Sequence, residues 1–323
     1  MIFNGAYLIS EKPIILGACQ NMLPAIEQAA LVAKLPERPI VLSAIMWNRE
    51  PWSRVIKTRF QTSFAYRNLK VHWLGNTQRE VAKLQTVGCR AAHLHTNLFC
   101  MDTIFTIKPV EKKWDAIYNA AMAPYKRLEL AAKVKELRLV TRNFNQTDKA
   151  KEFGCGHAEI NTSWIGRTEL PIILNQAWCG LALSAEEGGM LALTEYLLCG
   201  LPVVTTRSKG GRDVWYTDYN HILVEPKAEA VRDAVNHLKS NPRDPERIRR
   251  DCLDMMGLFR ENYVSLVNSI AGNKVVTMDS LFKDEKAMLS KLVMEGDFEE
   301  LFKSYDGYQF KKRHLVGTNI LSL

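Results

Sequence analysis

The feature that most constrains the fold is a repeated alternation of short apolar segments with longer segments of helical periodicity. The segments "PIVLSAIMW", "LKVHWLG" and "AAHLHT" have the pattern of strands. Helical patterns occupy residues 22–35, 53–67 and 77–88. In the last of these, Thr77 is placed to cap the helix, Glu80 stands at the capping-box position and Gly88 is placed to end it. Strands that alternate with helices predict a parallel, doubly wound sheet.

A second alternating run follows a polar stretch at residues 105–113. It contains the strand patterns "WDAIYNAAM", "LRLVTRN", "GLALS" and "GLPVVTT", and helical patterns that include residues 125–137, 228–241, 245–262 and 278–295. Because 323 residues exceed what one small core needs, we expect two α/β domains and a helical tail. The predicted bounds are residues 1–110 for the first domain, 111–272 for the second and 273–323 for the tail. One alternative for the tail is that it packs back on the first domain.

Composition restricts the class of protein. The chain is 47% hydrophobic, but none of its apolar runs reaches the ~20 residues that span a bilayer. Its N-terminal segment lacks a basic region followed by a long apolar core, so we expect a cytoplasmic protein. Seven cysteines stand singly, which favours reduced thiols over a disulfide framework. Cys155 and His157 lack a second pair of ligands, so no metal site is predicted.

The net charge of +8 is concentrated in the first third of the chain. Residues 1–110 contain thirteen Lys or Arg and six Asp or Glu, a balance of +7. Such an excess suits an anionic partner such as nucleotide phosphate, acidic lipid or nucleic acid. The alternative is a solvated basic face. The same choice, between a binding face and an ordinary amphipathic helix, applies to Arg54, Lys57, Arg59, Phe60, Phe64, Tyr66 and Arg67.

Residues 184–204, "SAEEGGMLALTEYLLCGLPVV", combine glycines with an apolar helix. The preceding strand should end at the carboxyl edge of a parallel sheet, where ligands of open α/β sheets bind. A helix is expected from about Gly189 to Cys199, ended by Gly200. Its N-terminus, behind the pair Gly188 and Gly189, would offer free N–H groups to a phosphate.

Two glutamates accompany this helix. Glu195 lies among apolar residues, and a buried carboxylate requires polar partners. Glu187 lies eight residues upstream, or ~12 Å at helical rise, which matches the span from a ribose across a diphosphate to a sugar. The alternative is that a lysine or backbone N–H satisfies Glu195 while Glu187 lies in a solvated loop. The residues alone leave both readings open.

The pattern S-x-x-E-G-G-x5-E-Y-L-L-C-G-L-P-V-V resembles the signature of retaining glycosyltransferases of family four. The likeness extends to "SKGGRDVWYTDYNHILVEP" and "WIGRTELPIILNQAWCGLALS", and covers about residues 69–240. It implies the GT-B architecture: two Rossmann-like, doubly wound parallel-sheet domains facing a cleft, with a helical C-terminal tail. It also implies transfer of a sugar, with retention of configuration, from a nucleotide-diphosphate sugar to an acceptor hydroxyl in glycan or polysaccharide synthesis.

The resemblance carries roles over to matching positions. Glu187 and Lys126 would be the catalytic pair. The implied donor-binding residues are Glu195, Gly188, Gly189, Met190, Leu191, Arg127, Gly211 and Arg212. No cofactor and no metal are expected, and the chain has no D-x-D pattern. The expected partners are a nucleotide sugar and a glycan or lipid-linked acceptor, with peripheral contact to an anionic membrane surface as a further option and no nucleic acid.

The sequence departs from this family at an important position. Ala121 stands where the family has an arginine that holds the diphosphate, and Arg127 or Arg212 would have to replace it. The first domain is short, and Trp47 and Asn48 follow its strand where a histidine is often found. These departures support an alternative, a catalytically weak or inactive sugar-nucleotide-binding protein of the same fold. A nucleic-acid-binding protein is less favoured because no recognised motif accompanies the basic charge.

Overall fold

The computed structural model describes residues 5–146, 148–284 and 291–303. The chain divides into two compact units, one formed by Met1–Phe99 with Gly257–Leu323 and the other by Cys100–Met256. Within the described ranges, no helix is both long enough and apolar enough to cross a membrane. All seven cysteines lie within these ranges, are buried and form no disulfide bond.

The first unit contains a six-stranded sheet. Its strands are β1 (Gly5–Glu11), β2 (Ile14–Cys19), β3 (Ile40–Ala44), β4 (Lys70–Gly75), β5 (Arg90–His93) and β12 (Leu292–Met294). They lie in the order β12-β1-β2-β3-β4-β5. Strands β2 to β5 are parallel, as predicted for β3, β4 and β5, whereas β1 pairs antiparallel with both β2 and β12.

Helices of this unit occur in the predicted segments 22–35, 53–67 and 77–88, and shorter helices occur in its C-terminal part. They are α1 (Leu23–Ala33), α2 (Trp52–Phe60), α3 (Gln78–Thr86), α9 (Met278–Phe282) and α10 (Phe298–Lys303). The Thr77 side chain accepts a hydrogen bond from the Glu80 N–H, as an N-cap should. The Glu80 carboxylate, however, accepts from the N–H groups of Arg49 and Asn76 and so joins two loops.

The second unit contains an all-parallel sheet of six strands. They are β6 (Ala116–Asn119), β7 (Leu137–Val140), β8 (Glu159–Ile160), β9 (Gly180–Ala182), β10 (Val203–Thr206) and β11 (His221–Val224). Their order is β11-β10-β9-β6-β7-β8. The strand order therefore changes direction between β6 and β9, which creates a topological switch point.

Four α-helices belong to the described part of this unit: α4 (Lys149–Glu152), α5 (Leu170–Asn175), α6 (Leu191–Leu198) and α7 (Ala228–Ser240). A fifth, α8 (Pro245–Ala271), begins in the second unit and ends in the first. The predicted alternation of strands and helices is thus present in both units.

The helix predicted for residues 125–137 is wrong. Two short 3-10 turns, Pro124–Lys126 and Leu128–Ala131, replace it. Arg127 between them has φ +52°, a left-handed conformation that stops an α-helix. Tertiary contacts of Arg127, described below, outweigh the helical propensity of the segment.

The helix predicted for residues 278–295 is only partly correct. Residues 278–282 are helical, but Leu292–Met294 form strand β12. The edge of β1 satisfies the backbone of this three-residue strand, a tertiary effect that periodicity does not reveal. The hairpin β1–β2 was not predicted. The part of the predicted tail beyond Lys303, with its basic "KKR", and residues 285–290 lie outside the described residues.

The position of α6 on the second sheet depends on Gly180 in β9. A Cβ atom at Gly180 would lie 2.3 Å from the ring of Tyr196. Tyr196 is fully buried, and its hydroxyl accepts a hydrogen bond from the Asn119 N–H at 2.6 Å. The ring therefore joins α6 to the ends of both β6 and β9.

We predict that Gly180→Ala destabilises the protein by about 1–3 kcal/mol, because the ring cannot move without breaking its hydrogen bond. The measurement is the free energy of unfolding in urea. Gly166→Ala is the matched control, since no atom lies within 4 Å of its added methyl group. Equal stabilities for the two variants would contradict the role of this contact.

Candidate functional site

Apart from Leu191 and Glu195, which lie in α6, the predicted site residues lie in loops at the carboxyl ends of three adjacent strands. Residues 120–127 follow β6, residues 183–190 follow β9, and residues 207–212 follow β10. The first two loops flank the switch point, where open α/β sheets bind their ligands. All three loops belong to the second unit.

The turn before α6 has a specific conformation. Met190 is left-handed at φ +48°, and the helix begins at Leu191 rather than at the predicted Gly189. Gly188, Gly189 and Met190 are buried, while Leu191 is partly exposed. The helix ends as predicted, with Gly200 at φ +73° after Cys199.

Glu187 forms a buried ion pair. Its Oε1 contacts the Lys126 ammonium and accepts a hydrogen bond from the Ser184 hydroxyl at 2.5 Å. The Tyr118 hydroxyl donates to the Lys126 carbonyl oxygen at 2.6 Å, which holds the lysine backbone in place. Both charged side chains are almost fully buried, so Glu187 does not lie in a solvated loop. A buried carboxylate of this kind is tolerated because the ammonium matches its charge and the hydroxyl donates to one of its oxygens.

The loop after β10 is joined to the Glu187 loop through backbone hydrogen bonds. The Glu187 N–H donates to the Lys209 carbonyl at 2.9 Å, and the Gly211 N–H donates to the Gly188 carbonyl at 3.2 Å. Gly210 between them has φ +122°, and a Cβ atom there would lie 2.0 Å from the Glu187 carbonyl oxygen. Only glycine permits this approach, which places Gly211 beside Gly188.

Glu195 occupies a different environment from Glu187. It is buried within α6, and its Oε2 accepts a hydrogen bond from the Asn119 side-chain amide at 3.2 Å. Burial raises the pKa of the Glu195 carboxyl from 4.5 to about 7, while the Asn119 bond and the charges of Arg142 and Arg167 act to lower it. A neutral amide is a weaker partner for a carboxylate than an ammonium is, so the carboxyl is left ready to accept further donors.

The two arginines that could replace the missing one have internal partners. Arg127 donates to the Leu183 carbonyl and to the Thr206 hydroxyl, each at 2.6 Å. Arg212 is fully buried, donates to the Thr206 carbonyl and lies 3.8 Å from the Met190 sulfur. Both guanidinium groups therefore hold the end of β10.

One atom of this cluster has no hydrogen bond among the described residues. It is the buried Nε of Arg212, which lies 4.0 Å from the carboxylate of Asp213. A buried donor without an acceptor is unfavourable. A small movement, or an anionic ligand, would relieve this cost.

The structure thus brings most of the predicted residues together. Glu187 contacts Lys126, Gly188 contacts Gly211, and Met190 contacts Arg212. Two polar residues that donate hydrogen bonds to the glutamates, Ser184 and Asn119, were not among the predicted site residues. Each stands at or just after the end of a parallel strand, and that position is the signal that would have identified them.

We predict that ionisation of Glu195 makes stability fall as the pH rises. Between its unfolded pKa of 4.5 and its folded pKa of about 7, the folded protein keeps a proton that the unfolded chain has released. Stability therefore decreases with pH across this window. Relative to the native protein, Glu195→Gln should gain on the order of 2–3 kcal/mol between about pH 5 and about pH 8.

The measurement is urea unfolding of both proteins at several pH values across that range. Glu136→Gln, which changes an exposed carboxylate in the same unit, serves as the control and should follow the native protein. A constant difference between Glu195→Gln and the native protein would show that the carboxyl titrates normally.

Comparison with known proteins connects this geometry to a family. Residues 141–252, which include both glutamates, match the family described as Glycosyl transferases group 1. A comparison with curated proteins gives no match. Among solved structures, a sucrose-phosphate synthase (tll1590) from Thermosynechococcus elongatus superposes with a TM-score of 0.59 at 14% identity, over 80% of this chain and 74% of that one.

Two further structures superpose with similar scores. Anabaena Alr3699/HepE in complex with UDP gives a TM-score of 0.55 at 12% identity and 78% coverage of each chain. The pneumococcal O-GlcNAc transferase GtfA in complex with UDP and GlcNAc gives 0.55 at 11% identity, over 76% of this chain and 59% of that one. The chain therefore has a GT-B fold, and its residues 141–252 are similar to the glycosyltransferase group 1 family.

Proposed function

We propose that this chain is a retaining glycosyltransferase that moves a sugar from a nucleoside-diphosphate sugar to a hydroxyl of a glycan or lipid-linked acceptor. The observation that carries the proposal is the buried pair of Glu187 and Lys126 at the switch point of the sheet. The carboxylate can accept hydrogen bonds from the hydroxyl groups of a sugar, and the ammonium beside it can bind the diphosphate to which that sugar is attached.

Each group has a distinct role in this proposal. Glu187 accepts hydrogen bonds from the hydroxyls of the transferred sugar, and Lys126 stabilises the charge of the leaving diphosphate. The N–H groups of residues 188–191 hold phosphate and sugar oxygens at the start of α6. Glu195 accepts from the ribose hydroxyls, which supply the donors that its carboxyl lacks beside Asn119.

The proposed reaction breaks the bond between the anomeric carbon and the diphosphate oxygen. An oxocarbenium-like sugar forms, and the acceptor oxygen bonds to the same face that the diphosphate leaves. The departing phosphate takes the acceptor's proton, so that no strong protein base is required. The chemistry proposed here needs no metal, because Lys126 and the N-terminus of α6 supply the positive charge.

A second candidate function is a sugar-nucleotide-binding protein with weak or no transfer activity. Ala121 stands at the position of the family's arginine, and both candidate replacements, Arg127 and Arg212, donate to the end of β10. A missing cation on the leaving diphosphate would remove several kcal/mol of transition-state stabilisation, and the rate of transfer would fall accordingly. Donor binding is common to both candidates, whereas turnover separates them.

We predict that the protein binds a nucleoside diphosphate, and UDP is the first to test because it is present in the HepE and GtfA structures. Glu195→Ala should weaken binding about 10- to 100-fold, because hydrogen bonds from the ribose to a charged acceptor are lost. Titration calorimetry measures both constants, and circular dichroism verifies that the variant is folded. Glu136→Ala, an exposed change in the same unit, should leave the constant unchanged. Failure of the folded protein to bind any nucleoside diphosphate would overturn both candidate functions.

We predict that Ala121→Arg raises the rate of sugar transfer about 10- to 100-fold. The new guanidinium would stabilise charge that develops on the diphosphate only in the transition state, so kcat should rise more than affinity. The assay is release of nucleoside diphosphate from a panel of nucleotide sugars with and without acceptors. Ala123→Arg, two residues further along the same loop, is the control for added positive charge. Equal rates for the two variants would show that position 121 has lost this role.

A further inference from the structure

Four large apolar side chains form a stripe on the outside of α2 and the turn that follows it. Trp52, Ile56, Phe60 and Phe64 are exposed by 50%, 48%, 60% and 72%. They recur every four residues, which places them along one face of a helix. We refer to these four residues as the aromatic stripe. Exposed large apolar residues that stand singly are ordinary, but a contiguous patch marks an interaction surface.

The core of the first unit uses the opposite face of the same helix. Val55, Thr58 and Tyr66 are buried there. The Thr58 hydroxyl accepts from the Arg49 guanidinium at 2.7 Å, and the Thr62 hydroxyl accepts from the Trp73 indole at 3.1 Å. This inner face attaches the helix to the unit, so the aromatic stripe is not needed to bury the core.

The backbone keeps the last member of the aromatic stripe in line. Residues 61–65 form a π-helical turn, closed by a hydrogen bond from the Tyr66 N–H to the Gln61 carbonyl at 2.9 Å. An α-helix would rotate residues four apart progressively around its axis, whereas a wider turn reverses that drift. The rings of Phe60 and Phe64 consequently stack, with centroids 5.9 Å apart and planes 20° apart.

Positive charge borders the aromatic stripe, and negative charge is absent from its segment. Residues 52–67 contain Arg54, Lys57, Arg59 and Arg67 and no Asp or Glu. Lys57 and Arg59 are exposed, and at about 100° per residue they fall on opposite sides of the stripe. The Lys83 ammonium lies 5.3 Å from the centre of the Trp52 ring, which adds a cation at the start of the stripe.

We propose that the aromatic stripe binds the interface of an anionic lipid bilayer, with α2 lying parallel to the surface. The aromatic and aliphatic side chains enter the boundary between headgroups and acyl chains, where tryptophan is favoured and apolar area is removed from water. Lys57 and Arg59 contact the acidic headgroups on either side. An acidic glycan would match the charge but not the apolar area, whereas the interface of an anionic bilayer matches both. The inference does not depend on the donor site, which lies in the other unit.

The test is co-sedimentation of the full chain with vesicles of phosphatidylcholine alone and of phosphatidylcholine with phosphatidylglycerol at roughly one lipid in three. We expect binding to the mixed vesicles to be at least about tenfold tighter, and to weaken as salt is added. Phe60→Ser combined with Phe64→Ser should weaken binding to the mixed vesicles by at least about tenfold relative to the native protein. Ser and Phe have similar helix propensities, so this variant removes the rings with little effect on the helix.

Two matched controls separate the aromatic stripe from general effects. Leu258→Ser removes an apolar side chain that is 53% exposed on α8, and it should change vesicle binding by less than about twofold. Lys57→Gln with Arg59→Gln should weaken binding about tenfold or more. Lys113→Gln with Lys135→Gln lowers the net charge equally in the other unit and should have a much smaller effect.

The proposal is overturned if the chain binds neither vesicle type, binds both equally, or binds the mixed vesicles as well after Phe60 and Phe64 are replaced. Analytical ultracentrifugation tests whether a second copy of this chain, and not a lipid surface, covers the aromatic stripe. Self-association that the Phe60 and Phe64 changes abolish, without vesicle binding, would assign the stripe to contact between two copies and reject the lipid surface. Nucleotide affinity, measured on the same proteins, should be unchanged, so failure here is distinct from failure of the donor site.

Discussion

The candidate site depends on the contact between Gly180 and the ring of Tyr196. Because β9 has no side chain at that point, α6 lies close enough to the sheet for the Tyr196 hydroxyl to accept from the Asn119 N–H. Asn119 then presents its side-chain amide to Glu195, one residue before Tyr196. Backbone packing and the placement of a buried carboxylate are therefore consequences of one contact. A larger residue at position 180 would alter both together.

The two glutamates have different electrostatic environments although both are buried. Glu187 has the Lys126 ammonium and the Ser184 hydroxyl, which match its charge and one of its oxygens. Glu195 has a neutral amide, so desolvation dominates and raises its pKa to about 7. A carboxyl of that kind gains most from a ligand that brings hydroxyl donors, since each new hydrogen bond favours the charged form. Glu187 therefore has a fixed cationic partner, whereas Glu195 is suited to change its protonation state when a ligand arrives.

Much of the fold could be predicted from the sequence because local signals agree with tertiary packing there. The cap at Thr77, the stop at Gly200 and the alternation of strands and helices are each present. The errors occur where distant contacts decide the backbone. Arg127 is left-handed, and its guanidinium donates to residues more than fifty positions away.

The same reasoning explains which parts of the site the sequence revealed. A motif identified the glutamates and glycines, since their spacing along one helix and turn is a local property. Asn119 and Ser184 required knowledge of which strands are neighbours, and the sequence alone does not supply that order. Ala121 is a departure that the sequence reveals directly, but only the structure shows that Arg127 and Arg212 donate their hydrogen bonds to the end of β10.

Helix α2 shows the limit of periodicity as a guide to burial. Residues 55, 58, 62 and 66 and residues 52, 56, 60 and 64 both have helical spacing, and the second set is the more apolar. Periodicity alone would bury the second set. The structure buries or partly buries the first set instead. The hydroxyls of Thr58 and Thr62 in this set accept hydrogen bonds from Arg49 and Trp73, and these bonds replace the ones that water would supply to an exposed threonine. A helix that turns its more polar face inward and keeps its aromatic face outward gives up burial energy within the monomer, and covering the aromatic face with another surface would recover that energy.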